Sequence, residues 1–178
     1  MIKFRDAKPA DAKEIFRIQA DGWNYAYKNI LSPKFLAYKT SDESIQEKIN
    51  KFREVLNNYH EKNNLFLVAL EENKIVGYFG GGSIESEQCR ADKELHRLYI
   101  DTNYIGTGLG KKLIQEFAKR MKLQGAKTFG LMCLSNNKSM GFYKQMGGIV
   151  TVEKPTSEKL ENTMGSFLEF NIDEVLSK

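Results

Sequence analysis

Apolar and polar positions along the chain keep mostly helical spacing in its first third and alternate between strand-like runs and helical spacing beyond it. Ile2–Arg5 alternates like a short strand. Pro9 stands where a first-turn proline would, with Asp11 beside it, and Ala12, Ile15, Phe16 and Gln19/Ala20 keep helical spacing. Trp23, Tyr25 and Tyr27 form an aromatic patch. Ser32-Pro33 then reads as the cap and first position of a short helix carrying Phe35, Leu36 and Tyr38. Thr40-Ser41-Asp42-Glu43 fits a capping box with Thr40 as the cap. The helix it opens shows Ile45, Ile49, Phe52, Leu56 and Tyr59 on one stripe and ends within Asn57–Asn64.

From there the period shortens. Leu65–Leu70 and Ile75–Phe79 are apolar runs joined by the turn Glu71-Glu72-Asn73-Lys74, the pattern of an antiparallel hairpin. Gly80-Gly81-Gly82 closes it, and a polar excursion follows over Ser83–Lys93. A strand at Glu94–Asp101 enters a glycine-rich turn. The next helix carries Leu109, Leu113, Ile114, Phe117, Ala118 and Met121 and stops at Gly125. Thr128–Leu134 is a buried-type strand, Asn136–Met146 a short helix ending at Gly147-Gly148, and Ile149–Glu153 and Ser166–Ile172 are late strands. No repeat or linker interrupts the order. It predicts one α/β (α+β) domain over residues 1–178, with a mixed sheet and at least one parallel crossover.

Composition removes several alternatives. The 178 residues are 41% hydrophobic and 28% charged with three prolines, an ordinary globular balance. Charges at Lys3, Arg5 and Asp6 interrupt what a signal peptide would need as an apolar core, and no run reaches the roughly 20 apolar residues of a membrane helix. Cys89 and Cys133 make no metal-ligand pattern and are too few for a disulfide scaffold. They read as reduced thiols in a cytoplasmic protein, with no metal expected. The net charge of +4 is mild, and the basic pairs Lys111-Lys112 and Lys119-Arg120 are flanked by Gln115 and Glu116 on their helix. That is a solvated face rather than the dense stripe of a nucleic-acid binder.

The most informative segment is Leu98-Tyr99-Ile100-Asp101-Thr102-Asn103-Tyr104-Ile105-Gly106-Thr107-Gly108-Leu109-Gly110-Lys111-Lys112. A strand runs into three glycines on alternate positions, and a helix starts at once. Glycine lets backbone approach a ligand and adopt positive φ. The amides at a helix start point at one place, where the helix dipole favours an anion. Lys111 and Lys112 add positive charge. This geometry suits a phosphate or pyrophosphate. It is not a P-loop, because Ile105 replaces the first glycine and Lys112 the hydroxyl. Nor is it a dinucleotide fingerprint, because Lys111 stands where the third glycine belongs.

The segment resembles the GNAT superfamily of acyl-CoA-dependent N-acetyltransferases. That family's central motif, Arg/Gln-x-x-Gly-x-Gly/Ala, follows a strand of the type Leu-Tyr-Val. Here Ile105-Gly106-Thr107-Gly108-Leu109-Gly110 follows Leu98-Tyr99-Ile100, with Ile105 in place of Arg or Gln. A second family motif, Asn-x-x-Ala-x-x-Phe/Leu-Tyr-x-x-x-Gly-Phe, is matched from Asn136 to Gly148, with Ser139 for Ala and Gly148 for Phe. Two motifs in order, separated by a helix and a strand, are more specific than either alone, and the early helix and hairpin agree with them.

The resemblance implies a GNAT-like fold: a mixed, mostly antiparallel sheet flanked by helices, with a splayed parallel strand pair holding acetyl-CoA. It assigns backbone groups of Leu98 and Ile100 to the pantetheine arm, and amides of Ile105, Gly106, Gly108 and Gly110, with Lys111 nearby, to the pyrophosphate. Asn136 would contact the cosubstrate from the second strand–helix loop. Glu94 matches the family's base and Tyr143 its acid toward the leaving thiolate; His96, two residues on, is the other credible base. A strand-end carboxylate and a packed aromatic are the structural alternatives for Glu94 and Tyr143. The implied reaction is acetyl transfer to a primary amine by direct attack in a ternary complex. An acyl-cysteine route through Cys133 is less favoured, since no His is near it in sequence. The different-class alternative is a non-catalytic acyl-CoA-binding regulatory module. The acceptor, a small-molecule or peptide amine, stays open, with Trp23, Tyr25, Tyr27 and Phe35 as candidate lining or core. The resemblance also allows a homodimer.

Overall fold

The computed structural model describes residues 1–61 and 64–178, except for the side chains of residues 57–61 and 159. Seven strands form one sheet: β1 (Lys3–Asp6), β2 (Leu65–Glu71), β3 (Lys74–Gly82), β4 (Lys93–Ile100), β5 (Thr128–Leu134), β6 (Ile149–Pro155) and β7 (Met164–Asn171). Their spatial order is β1-β2-β3-β4-β5-β7-β6. Every neighbouring pair is antiparallel except β4 and β5. The helices are α1 (Ala12–Tyr27), α2 (Pro33–Thr40), α3 (Asp42–Glu61), α4 (Leu109–Leu123), α5 (Met140–Gln145) and α6 (Ile172–Ser177).

Side chains alternate across β2 and find cover on both faces. Leu67 and Ala69 join α4 through Leu113, Ile114, Phe117 and Met121, whereas Phe66 and Val68 meet Ile15, Ile18, Phe52 and Leu56 of α1 and α3. That double cover is why β2 and β3 read as continuous apolar runs. Burying a ring such as Phe52 or Phe117 contributes about 1.5–3 kcal/mol. Tyr59, expected on the stripe that carries Phe52, lies outside the described side chains, and α3 is described as far as Glu61, within the expected Asn57–Asn64.

Four boundaries differ from the sequence expectation. The triple glycine does not close the hairpin; it lies within β3 and pairs with β4. A Cβ on Gly81 would stand 2.3 Å from the Glu94 carbonyl oxygen, so glycine here serves strand contact rather than a turn. The turn itself is made at Glu72 and Asn73, with φ of 49° and 69°. The cap of α3 is Ser41, whose hydroxyl accepts the Ser44 N–H at 3.1 Å. Thr40 instead ends α2 and donates to the Leu36 carbonyl at 2.9 Å. Residues 136–139 form a turn ahead of α5 rather than its first helical turn.

The fourth difference is α6, which the sequence reading missed. Asn171 ends β7 and caps the new helix, its side chain accepting the N–H groups of Asp173 and Glu174. Ile172 and Val175 are buried against the α4 core.

Candidate active site

β4 and β5 pair only at Lys93↔Phe129 and Glu94↔Gly130. Beyond those positions the strands part. Across β3 the register also slips: Gly80 opposes Arg97 and Gly81 opposes Leu95, leaving His96 as the extra residue of a bulge. A cavity of about 780 Å³ occupies the opening. Its walls are Leu95–Ile100 on one side and Leu131–Cys133 on the other, with the glycine turn at one end and Tyr25, Ala26 and Tyr27 of α1 at the other.

The turn is built as its composition requires. Gly106 and Gly108 hold φ of +82° and +85°, which side-chain-bearing residues rarely adopt. A Cβ at either would meet nothing within 4 Å, so these glycines answer to conformation and leave the backbone approachable. Gly108 caps α4, and the first helical bond runs from the Lys112 N–H to the Gly108 carbonyl at 3.2 Å. The amides of Leu109, Gly110 and Lys111 therefore precede the ladder, at the end of the cavity that Gly108, Gly110 and Lys111 line. The turn is anchored from below by Asp101, which is 1% exposed. Its carboxylate accepts the Asn103 N–H at 3.0 Å and the Arg17 guanidinium at 2.8 Å. Burial alone would raise the Asp101 pKa, but Asn103, Arg17 and Lys74 outweigh it and hold the carboxyl below its ordinary range.

Each anticipated residue has a definite place. Leu98, Ile100, Ile105, Gly106, Gly108, Gly110, Lys111 and Tyr143 all line the cavity. The Lys111 ammonium also reaches the backbone oxygen of Lys178. Tyr143 packs on Phe142 and Phe170, with ring centroids at 5.2 and 6.4 Å. Burial, then the Cys133 thiol and the Tyr99 phenol, push its pKa up, so the hydroxyl keeps its proton at neutral pH.

Two expected residues are placed otherwise. Glu94 is buried and absent from the cavity lining; its carboxylate accepts the N–H groups of Glu85 and Ser86, both at 2.8 Å. His96 does line the cavity, and its Nε2 meets the Ser83 carbonyl at 2.8 Å. Both side chains thus grip the same segment after β3. Asn136 is exposed and outside the lining, while its neighbour Asn137 is buried within it and accepts the Ser139 N–H at 2.8 Å.

Sequence reasoning did not find Tyr99, Arg97 or Asn137 as cavity residues, although Tyr99 stood inside the quoted strand. The Tyr99 hydroxyl accepts the Trp23 Nε1–H at 3.0 Å, which ties α1 to β4. Tyr27 was named only as a candidate; burial chiefly raises its pKa, and the Asn137 amide opposes that rise. Only the packing of α1 across β4 brings these groups together. Trp23 and Phe35 belong to a satellite cluster with Leu31, Leu36, Leu134 and Leu160, so they are core rather than lining. Cys133 faces the cavity, but burial pushes its thiol up to about 12. Among the described residues no group of three or more His, Cys, Asp or Glu could hold a metal. Among the described residues, too, no helix is long and apolar enough to cross a membrane.

Residues 36–160 match the family model described as an acetyltransferase (GNAT) domain. The chain therefore belongs to the GNAT acetyltransferase family and is an acyltransferase. It is 24% identical over 147 residues to the uncharacterized N-acetyltransferase YuaI of Bacillus subtilis (strain 168), covering 81% of this chain and 78% of that one. It is 26% identical over 124 residues to the spermidine N(1)-acetyltransferase of Thermoplasma acidophilum, covering 70% and 73%. Among solved structures, the fold matches PaiA N-acetyltransferase from Thermoplasma acidophilum in complex with coenzyme A. The TM-score there is 0.68 at 23% identity, over 96% of this chain and 99% of that one. It also matches yncA, a putative acetyltransferase from Salmonella typhimurium with acetyl-CoA, with a TM-score of 0.69 at 17% identity over 97% and 95%. At those identities the structures speak to the fold: the seven-stranded, mostly antiparallel sheet with its parallel β4–β5 pair is the family's.

Proposed function

We propose that this enzyme moves an acetyl group from acetyl-CoA to a primary amine by direct attack in a ternary complex. One observation carries the reading: a single cavity has a glycine-built anion cradle at one end and a protonated, buried phenol, Tyr143, on its wall. The residues present fit the cosubstrate. Nothing stands where a Cβ of Gly106 or Gly108 would project, and Lys111 lines the same end. Bound acetyl-CoA supplies an acyl group activated as a thioester. Backbone groups of Leu98 and Ile100 would hold its pantetheine arm as an added strand is held, while the amides from Ile105 to Gly110 and the Lys111 ammonium meet its pyrophosphate.

The protein then has two protons to manage. An alkylamine with a pKa of about 10.4 is mostly ammonium at neutral pH, and it attacks only after losing a proton. Sequence placed that task on Glu94, with His96 or water as alternatives. The cavity placement favours His96, directly or through water. Its Nε2 meets the Ser83 carbonyl at 2.8 Å, and its buried Nδ1 lies 3.8 Å from the Glu85 carboxylate, which would stabilise a proton taken up there. Glu94 then acts at one remove, fixing the 85–86 backbone beside His96. Tyr143 gives its proton to the departing thiolate. Because the Cys133 thiol is pushed up to about 12, it is a poor nucleophile at neutral pH, which favours direct transfer over an acyl-cysteine.

The deciding experiment is initial-velocity kinetics across acetyl-CoA and an acceptor found by screening amines for thiol release. Intersecting lines are expected. Parallel lines would replace direct transfer with a two-step route. Binding of acetyl-CoA with no turnover of any amine would leave the non-catalytic module. If His96→Gln keeps the wild-type pH profile and Glu94→Gln shifts it, the base returns to Glu94.

A further inference from the structure

No motif announced α6, yet its end reaches the cavity. Ile172 and Val175 bury its inner face against α4. Three polar contacts then fix its direction. Lys122 Nζ, near the end of α4, donates to Asp173 Oδ1 at 2.6 Å, and Gln115 Nε2 donates to the Val175 carbonyl at 3.2 Å. In the first turn of α4, the Lys111 ammonium donates to the backbone oxygen of Lys178. The two helices therefore run in opposite directions, and the end of α6 arrives beside the start of α4, where the glycine turn opens.

Three elements meet at that rim of the cavity: Gly110 and Lys111 of α4, Gln145 and Met146 at the end of α5, and Lys178 at the end of α6. A Cβ on Gly147 would stand 3.4 Å from Lys178 Cε and 3.2 Å from Glu174 Oε2. The Lys178 stem is thus laid over the turn that ends α5, with Glu174 beside it; Lys178 lines the cavity and Glu174 does not. A lysine at a helix end ordinarily answers the negative end of the helix dipole. Here Lys111 meets that end of α6 from outside, so the Lys178 ammonium is a second cation at the rim. The glycine-turn amides and Lys111 suffice for a pyrophosphate. A second cation, carried by another element, fits a ligand with a second anionic group close to the first.

We propose that α6 completes the cosubstrate site: the Lys178 ammonium receives the phosphate monoester on the ribose of acetyl-CoA, and the Lys178 backbone oxygen holds Lys111 at the cradle. The inference rests on the acetyl-CoA reading above. A phosphate monoester carries about −1.5 to −2 charges at pH 7, so one ammonium tells it from a hydroxyl. An ammonium is a point charge on a flexible stem and finds a phosphate without a fixed geometry. Lys178 is exposed, so the discrimination has the size of an exposed ion pair rather than a buried one.

The test is calorimetric titration with acetyl-CoA and with acetyl-dephospho-CoA, which has a hydroxyl in place of the monoester. The wild type is expected to bind acetyl-CoA about threefold to fivefold more tightly, and the preference should shrink as salt rises. Lys178→Gln keeps the backbone oxygen and should bring the ratio of the two dissociation constants near one. Lys178→Arg should keep the preference, and affinity for acetyl-dephospho-CoA should be the same in all three proteins. Lys144→Gln removes a charge from α5 outside the cavity lining and should leave the preference intact. A ratio near one in the wild type, a preference that survives Lys178→Gln, or an equal loss in Lys144→Gln would each overturn the proposal. The two layers separate cleanly. Tight binding of both ligands with equal constants removes only the role of Lys178, whereas binding of neither removes the acetyl-CoA reading as well.

Discussion

The two ends of the cavity are made of different material. At the glycine turn the groups proposed to hold the cosubstrate are backbone amides, and their constraints are written into residue identity: φ of +82° and +85° at Gly106 and Gly108 favour glycine at those positions. At the α1 end the lining is made of side chains brought together by packing. Tyr27 and Tyr99 come from elements 72 positions apart, and Trp23 reaches the Tyr99 hydroxyl only because α1 crosses β4. A site built from backbone leaves a motif, whereas a site built from converging side chains leaves only ordinary aromatics at ordinary helical spacing. One end can be conserved in geometry while the other is free to change its ligand.

The sharpest way to break this contrast is at its midpoint. Tyr143→Phe removes the proposed proton donor and keeps the ring packed on Phe142 and Phe170. It should lower kcat about 10²-fold or more while the acetyl-CoA dissociation constant stays within about twofold. Steady-state kinetics beside calorimetry read both quantities, and an unchanged kcat takes Tyr143 out of the chemistry.

Gly108→Val comes next. A β-branched residue at φ +85° costs about 1–3 kcal/mol of strain. Because the strain falls on the cradle, acetyl-CoA affinity should drop with the melting temperature. Affinity held at the wild-type value would show that the cradle tolerates distortion and is not the recognising element.

Asp101 couples the two ends, since it caps the turn and binds Arg17 of α1. Its folded pKa lies below the ordinary value of about 3.9, so its contribution is complete above that pH and is lost as pH falls through the folded pKa. Asp101→Asn should cost about 1–3 kcal/mol at pH 7 and flatten the loss of stability below about pH 4. A variant whose acid limb matches the wild type would remove Asp101 as the titrating link.

The smallest effect belongs to α2, which packs on α1 outside the cavity lining. The Ser32 hydroxyl accepts the Phe35 N–H at 3.1 Å and donates to Glu161 at 2.5 Å, latching the start of α2 to the loop between β6 and β7. Ser32→Ala should cost about 1 kcal/mol and raise the KM of the acceptor without touching acetyl-CoA affinity. An equal change in both constants would deny that the ends are separable.

What could be read from sequence follows the same division. Period counting located β2, β3, α4 and β5, because each buries a full stripe or both faces. The glycine turn was legible for the reason just given. The triple glycine was misread as a hairpin's end, since glycine marks close approach as well as turns, and only the 2.3 Å gap at Gly81 tells them apart. α6 was missed although Asn171-Ile172-Asp173-Glu174 is a helix-start pattern: the apolar alternation of β7 runs straight into it. Glu94 and Asn136 were carried over by position in a motif. Where each carboxylate or amide points depends on the segment at 85–86 and the turn at 136–139, whose course no periodicity announces.

The central claim is that the cradle at Ile105–Gly110 binds acetyl-CoA, and the most direct test is the melting temperature with acetyl-CoA, ATP and NAD in turn. A ligand at about 100 times its dissociation constant adds about 2.7 kcal/mol, a rise of roughly 5–11 °C for a domain of this size. The account predicts that rise with acetyl-CoA and none with ATP or NAD. No shift with acetyl-CoA, or a larger one with either nucleotide, would contradict it.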